Sequence, residues 1–291
     1  MNNEKTNMIP KLYFFGCGSA FNTKMGNTSA FTILDNEILV LFDVTYNAYQ
    51  TIVENPTILK NIKEIKICLT HTHPDHVNGL CDLLFYIKYG INEENNDKKI
   101  AVNILCPDTC MYERVVNLLK THEINCSTQF IFDDRMLCID VTYSYMFLIN
   151  TTKNKYQIRF KLNTHHFGTL AYYIYLIKGD GSKMGADYSY IIYTGDTSSF
   201  PPSLNDYDFS KCEQIYIDCS TETHTSNFGH YSASQIMDTV NIFDDESLNI
   251  NKITPMHFQD NGVYATASLL GMNLPEVLSN DDVVDVSRLD F

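Results

Sequence analysis

Basic side chains are scarce in this chain: 21 Lys and Arg stand against 35 Asp and Glu, a formal net charge of −14. Proteins that grip long nucleic acid neutralise its phosphates with Lys and Arg, so a broad RNA- or DNA-binding face is not expected. Long hydrophobic runs are also missing. No stretch of about 18 uninterrupted apolar residues occurs, and no membrane-spanning helix is expected. The opening Met1-Asn2-Asn3-Glu4-Lys5 lacks the basic-then-apolar pattern of an export signal. Cysteine is present without a framework: nine residues, an odd number, scattered singly, which reads as reduced cytosolic thiols. Cys106 and Cys110 lie four apart with no matching Cys or His pair, and read as structural. Repeats, low-complexity tracts and long linkers are absent. With 44% apolar and 19% charged residues in 291, the composition is that of an ordinary globular protein. The expectation is one cytoplasmic domain over residues 1–291.

What the chain does have is Thr70-His71-Thr72-His73-Pro74-Asp75-His76, with four potential metal ligands within residues 71–76. It follows a strand-like run, Glu64 to Thr70, and precedes a pattern that predicts a helix from Val77 to Tyr89. A tight strand-to-helix loop lets several side chains converge on one point. Neutral imidazole suits zinc and neighbouring transition metals, and a carboxylate adds charge for a second cation.

Along the rest of the chain, strands and helices alternate. Leu12 to Gly16 reads as a strand ending in the glycine-rich Gly16-Cys17-Gly18-Ser19-Ala20. Ser29 to Leu34 and Glu37 to Asp43 read as a hairpin joined at Asp35-Asn36. Thr45 to Val53 and Asp108 to Lys120 read as helices, the second begun by an Asp cap, with a strand at Ala101 to Cys106. Ile91 to Lys99 reads as an exposed loop. Phe130 to Leu162 predicts consecutive antiparallel strands. Ala171 to Ile177 and Tyr188 to Tyr193 follow as strands around a mobile turn containing Gly179, Asp180, Gly181 and Gly185. The last elements expected are strands at Ile215 to Cys219 and Ile253 to Met256, with a helix at Ser232 to Asn241.

One loop does not close two metal sites, so further ligands should end later strands. His165 or His166, Asp196 in Tyr193-Thr194-Gly195-Asp196, and His257 after Ile253 to Met256 occupy such places. Singly, each also reads as an ordinary loop or strand-end residue. In this order behind the first motif they form a pattern.

That pattern resembles the metallo-β-lactamase fold superfamily, over nearly the whole chain from Gly16 to His257. The resemblance implies an α+β fold: a four-layer αββα sandwich of two mixed sheets flanked by helices, with a two-metal site at one rim. It implies that His71, His73 and His165 hold one metal, that Asp75, His76 and His257 hold the other, and that Asp196 bridges them. His165 is preferred to His166 because of its spacing to Ala171-Tyr172. Asp43, in Leu41-Phe42-Asp43-Val44, matches a strand-end acid that orients a ligand. Two divalent cations are implied, Zn2+ first, with Mn2+ or Fe as alternatives. Such a pair activates water, so no Ser or Cys nucleophile is needed, and Cys219 reads as packing.

Within the superfamily the chain resembles the ribonuclease Z-like phosphodiesterase branch. Gly26-Asn27-Thr28-Ser29-Ala30, Asp218-Cys219-Ser220 and Gly229-His230-Tyr231-Ser232-Ala233 are similar to that branch's elements. By this resemblance His230 is the general acid and Asp218 its partner, and the catalytic set is Asp75, His230 and Asp218. A cap on the helix near Ser232 is the plainer role for His230. His224 is the competing acid, and His122 reads as a surface residue. The third motif, His165-His166-Phe167-Gly168-Thr169, and an Asp at position 196 argue against thioester, lactam and lactone substrates. A Lys-rich arm for transfer RNA is missing, as is an Arg near His257. The resulting expectation is a phosphodiester hydrolase acting on a small nucleotide, such as a cyclic nucleotide. Transfer-RNA 3′-end cleavage, ester or lactone hydrolysis, and a non-catalytic metal-binding protein are the alternatives. The 19 Tyr read as strand and core residues or as base-stacking groups. Relatives of this kind commonly form homodimers.

Overall fold

The computed structural model describes residues 9–92, 99–124, 139–166, 169–179, 188–204, 209–223, 229–242 and 247–278. Two six-stranded mixed sheets form its centre. The first holds β1 (Tyr13–Gly16), β2 (Ser29–Leu34), β3 (Ile38–Phe42), β4 (Glu64–Cys68), β5 (Ala101–Cys106) and β6 (Ile139–Tyr143), in that order. The second holds β7 (Met146–Asn150), β8 (Lys155–Asn163), β9 (Ala171–Lys178), β10 (Ser189–Tyr193), β11 (Cys212–Asp218) and β12 (Ile253–Met256), again in sequence order across the sheet. Each sheet is antiparallel at one side and parallel at the other. In the first, β3, β4, β5 and β6 run parallel; in the second, β10, β11 and β12 do.

The strands β2 and β3 are buried along their whole length. A sheet covered on both faces takes apolar residues at every position rather than at alternate ones, as Ile38-Leu39-Val40-Leu41-Phe42 does. Aromatic rings lock one sheet on the other: Phe42 lies 5.3 Å from Tyr193 between centroids, and Phe14 lies 5.6 Å from Tyr216. Each fully buried side chain of this size contributes roughly 1.5–3 kcal/mol. The helices α1 (Tyr46–Glu54), α2 (Pro74–Val77), α3 (Leu80–Phe85), α4 (Thr109–Thr121), α5 (Ala233–Ile242) and α6 (Asn261–Leu269) flank the paired sheets. This is the αββα arrangement expected from the sequence. Among the described residues no helix is long and apolar enough to cross a membrane.

Three expectations need correction. The helix predicted over Val77 to Tyr89 is broken into α2, α3 and a π-helical stretch, Tyr86–Asn92. The cause is tertiary: Val44 N–H donates to His76 O, and Gly79 N–H donates to Val44 O at 3.0 Å. Gly79 lies so close to α1 that a Cβ would stand 2.1 Å from Thr45 O. Second, the described part of the Phe130 to Leu162 segment is not one antiparallel run. β6 pairs parallel with β5 in the first sheet, and only β7 and β8 form a hairpin in the second, so the chain changes sheets between Tyr143 and Met146. Third, Ile91 belongs to the π-helical stretch rather than to a loop. Residues 93–98, 130–138 and 180–187, which carry the remainder of the predicted loop, strands and turn, lie outside the described residues.

The parallel strands end on one rim. In open parallel sheets, ligands bind beyond the carboxyl ends of the strands. Asp43 follows β3, His71 to His76 follow β4, Asp196 follows β10, Asp218 ends β11, and His257 follows β12.

Candidate metal centre

The His71–His76 loop owes its shape to local sequence. His73 is extended (φ −65°, ψ 149°) before Pro74, which opens α2 at a position that needs no N–H donor. Asp43 and His257 adopt left-handed backbone, φ 58° and 63°, uncommon for side-chain-bearing residues. Gly195 is left-handed as well (φ 57°), and a Cβ there would meet the Thr70 side chain at 2.6 Å. Glycine is therefore required where the Thr194-Gly195-Asp196 turn crosses the β4 loop.

The rim brings together all seven residues expected as ligands. Donor atoms of His71, His73, His165 and Asp196 lie within 4.8 Å of one another, as do those of Asp75, His76, Asp196 and His257. Asp196 belongs to both groups and turns one oxygen to each. Its Oδ2 lies 3.8 Å from His71 Nε2 and 3.6 Å from His165 Nε2. Its Oδ1 lies 3.1 Å from both His76 Nε2 and His257 Nε2. Asp75 Oδ2 approaches the same two nitrogens at 3.5 and 3.6 Å.

The opposite ring nitrogens are occupied, which fixes the orientation of each ring. His76 Nδ1 lies 2.8 Å from Asp43 Oδ2, and His71 Nδ1 lies 3.1 Å from Thr70 Oγ1. His165 Nδ1 lies 2.9 Å from Gly229 O, and His257 Nδ1 lies 2.9 Å from Ser220 Oγ. His165, not His166, is the one whose Nε2 faces Asp196. Ser220 is a residue that sequence reasoning did not single out. Its hydroxyl donates to Asp218 at 2.7 Å while touching His257, and its place two residues after Asp218 was the available signal.

Three buried atoms in this cluster, His76 Nε2, Asp196 Oδ1 and His257 Nε2, make no hydrogen bond. Buried polar groups are otherwise satisfied in folded proteins, and an exception calls for an explanation. Asp196 Oδ1 lies 3.1 Å from each of the two nitrogens without hydrogen-bonding geometry, as donor atoms do when aimed at a common ion. Imidazole nitrogen and carboxylate oxygen form a donor set suited to a divalent transition cation. The residues fit such an ion.

Charge is already arranged for it. Burial opposes ionisation of Asp196, yet His257 and His76 outweigh that and hold its carboxyl well below the usual range. Burial likewise opposes charge on His257, but Asp196, Asp218 and Asp75 lift its pKa to about 10. His76 is raised too, Asp196 and Asp43 overcoming burial. In His71 burial prevails, reinforced by His76, and the pKa is lowered. A cation entering this cluster replaces protons, so its uptake weakens in acid.

Beside the cage, His230 Nδ1 lies 2.7 Å from Asp218 Oδ2 and 4.0 Å from Asp196 Oδ2. Asp218 is buried, and Thr197 N–H and Ser220 Oγ also donate to it. Burial opposes the charge on His230, but Asp218 outweighs it and raises the pKa. His230 does not cap α5; the Ser232 hydroxyl does, accepting from Gln235 N–H at 3.3 Å. His224 lies outside the described residues, as do Phe167 and Gly168. His122 sits exposed at the end of α4. Cys219 is fully buried with its thiol pKa pushed far up by burial, as a packing residue should be. The arrangement suits hydrolysis: a place for cations, with a proton donor at its edge.

A family model described as anti-Pycsar protein Apyc1 matches residues 10–276. The chain belongs to the anti-Pycsar protein Apyc1 family. Its Apyc1 relatives include proteins of the Bacillus phages vB_BveM-Goe7 and vB_BsuM-Goe3, each 26% identical over 259 residues, covering 86% of this chain and 90% of the relative. Among solved structures, the fold is shared with the short form of human tRNase Z at a TM-score of 0.57, with 13% identity, 86% of this chain and 93% of that one. It is shared equally with YhfI of Bacillus subtilis, a metallo-β-lactamase fold protein (TM-score 0.57, 12% identity, 92% and 96% covered). Zn2+-bound PqqB of Methylobacterium extorquens also superimposes at 0.57, with 11% identity and 91% and 97% covered. The fold of this chain is thus the metallo-β-lactamase fold expected from the sequence.

Proposed function

We propose that this protein is a metal-dependent hydrolase of small phosphodiesters, acting on cyclic nucleotides. The observation that carries the reading is the convergence of His76 Nε2, Asp196 Oδ1 and His257 Nε2, buried and without hydrogen bonds, next to the His230–Asp218 pair. Membership of the anti-Pycsar Apyc1 family supports a phosphodiester as substrate. The net charge of −14 supports a small one over a polyanion.

In this reading His71, His73 and His165 would hold one divalent cation, Asp75, His76 and His257 would hold a second, and Asp196, which belongs to both groups, would be shared. Bound divalent cations supply positive charge for the phosphoryl oxygens and make water nucleophilic near neutral pH. The chain's own residues do the rest. Asp43, Thr70, Ser220 and the Gly229 carbonyl keep the imidazoles turned inward. Water gives up a proton to solvent as it attacks phosphorus, the bond from phosphorus to the departing oxygen breaks, and His230 gives that oxygen its proton and is reprotonated from solvent. Nδ1 of His230 faces Asp218, so Nε2 is the nitrogen that meets the substrate. Asp218 keeps the ring protonated beforehand and fixes its direction. The product of a cyclic substrate is the ring-opened phosphomonoester.

The test is metal analysis of the purified protein combined with turnover on a panel: cyclic nucleotides, bis-p-nitrophenyl phosphate, precursor transfer RNA and acyl-lactones. Hydrolysis of cyclic nucleotides that stops on chelation and returns with Zn2+ or Mn2+ is expected. Turnover confined to lactones, or to transfer RNA, would replace the reading with one of its alternatives.

A further inference from the structure

Phe21 is almost completely solvent-exposed, at 94%, on a loop whose backbone is nonetheless fixed to the rim of the candidate site. Ser19 N–H donates to Phe258 O at 2.9 Å, and Phe258 N–H donates back to Cys17 O at 2.9 Å. The Asn22 side chain donates to the same Phe258 carbonyl at 3.0 Å. Asn22 N–H donates to Ser19 O, closing a turn around Phe21. Further along the loop, Asn27 Nδ2 donates to Ser19 O at 3.1 Å, and Asn78 Nδ2 donates to Asn27 Oδ1 at 3.3 Å. Phe258 follows His257 in the chain, and Asn78 stands two residues after His76. The loop therefore bridges the segments carrying the two histidines of the Asp75–His76–His257 group, and it holds Phe21 at that edge.

Single exposed apolar residues are common on protein surfaces and need no special role. Phe21 differs in what adjoins it. A cleft of about 410 Å³ separates the turn bearing Phe21 and Lys24 from Gln259 and Asn261. That volume lies within the range of small-molecule sites and accommodates a planar heterocycle. The cleft offers an aromatic face from Phe21 and, from the exposed amides of Gln259 and Asn261, both hydrogen-bond donors and acceptors. Gln259 N–H donates to Ser220 O at 3.2 Å, and Ser220 touches both His257 and Asp218. One wall of the cleft is thus tied by hydrogen bonds to the side of the cage where His230 pairs with Asp218.

We propose that Phe21 is the platform on which the substrate's planar base stacks, the base lying in the cleft between the Phe21–Lys24 turn and Gln259–Asn261. This rests on the cyclic-nucleotide reading above and adds to it where the base binds and how it is discriminated. Stacking on an aromatic face tolerates any base, and amides of Asn and Gln can each reverse to present either a donor or an acceptor. Weaker handling of substrates that carry no base follows.

The experiment compares wild type, Phe21→Ala and Phe21→Trp on cyclic AMP, cyclic UMP and a ribose 3′,5′-cyclic phosphate lacking a base. Phe21→Ala should raise KM for both nucleotides about ten-fold, the loss expected of one base–aromatic stack, with a much smaller effect on kcat. The preference for cyclic AMP over the base-free compound, measured as the ratio of kcat/KM, should fall by the same factor, and Phe21→Trp should restore it. Melting temperatures of the three proteins should agree, because the ring is exposed. If wild type hydrolyses the nucleotides and Phe21→Ala leaves their KM unchanged, the platform is wrong while the function stands. An equal loss on the base-free compound assigns Phe21 a structural role and also overturns it. If wild type hydrolyses only base-free phosphodiesters, the cyclic-nucleotide reading fails and the base subsite fails with it.

Discussion

Asp43 Oδ2 lies 2.8 Å from His76 Nδ1, both residues fully buried, and the same carboxylate accepts the Thr70 N–H at 2.8 Å and the Thr70 hydroxyl. One strand-end acid therefore orients the β4 loop and aims a ring within it. Asp43→Asn keeps the shape and tolerates the left-handed backbone (φ 58°), but removes the charge behind His76. Metal affinity should fall roughly 10- to 100-fold, measured by competition titration with a chromophoric chelator. Wild-type affinity would show that Asp43 only ties the loop.

Asp196 turns one oxygen to each group of histidines, so its loss should be felt by both. Asp196→Ala is expected to abolish hydrolysis and to lower the metal content found by mass spectrometry. Full activity in this variant would remove Asp196 from the bridging position.

His230 contacts Asp218 but lies at the margin of the cage. His230→Gln leaves buried Asp218 with a hydrogen-bond donor, which limits the structural penalty. Turnover should drop roughly 10²–10⁴-fold, the usual contribution of a general acid, while metal content stays near that of wild type. In wild type the rate should decline as pH rises through the elevated pKa of His230, because the acid form is lost, and the variant should lack that limb. Loss of metal instead would assign His230 to the ligands.

Gly79 touches the start of α1, where a Cβ would stand 2.1 Å from Thr45 O. Gly79→Ala must push α1 and the His71–His76 loop apart, at a cost of about 1–3 kcal/mol. A fall of several degrees in melting temperature is expected, together with weaker metal binding. An unchanged melting curve would mean that the junction is looser than the contact implies.

Much of the site was legible because its residues are chemically distinctive and end strands. His71, His73, Asp75 and His76 are close in sequence, and Asp196 and His257 follow short apolar runs that predict strands. The supporting groups were harder to see. Ser220 and the Gly229 carbonyl are ordinary in sequence, and only the folded chain reveals that they hold His257 and His165. The helix break at Asn78–Gly79 was hidden for the same reason. Its apolar spacing is helical, and what interrupts it is a hydrogen bond with Val44, far away along the chain.

The sequence by itself determined the alternation of strands and helices and the chemical character of the cluster, because burial pattern, turn residues and donor type are local properties. Only the tertiary structure decided that β6 joins the first sheet, that the Gly229 carbonyl and Ser220 hold the rings of His165 and His257, that Ser232 caps α5, and that Phe21 stands on the rim. Each of these depends on backbone segments brought together from distant parts of the chain. Sequence spacing does not encode such distances; the packing of two sheets and the need to satisfy buried polar groups do.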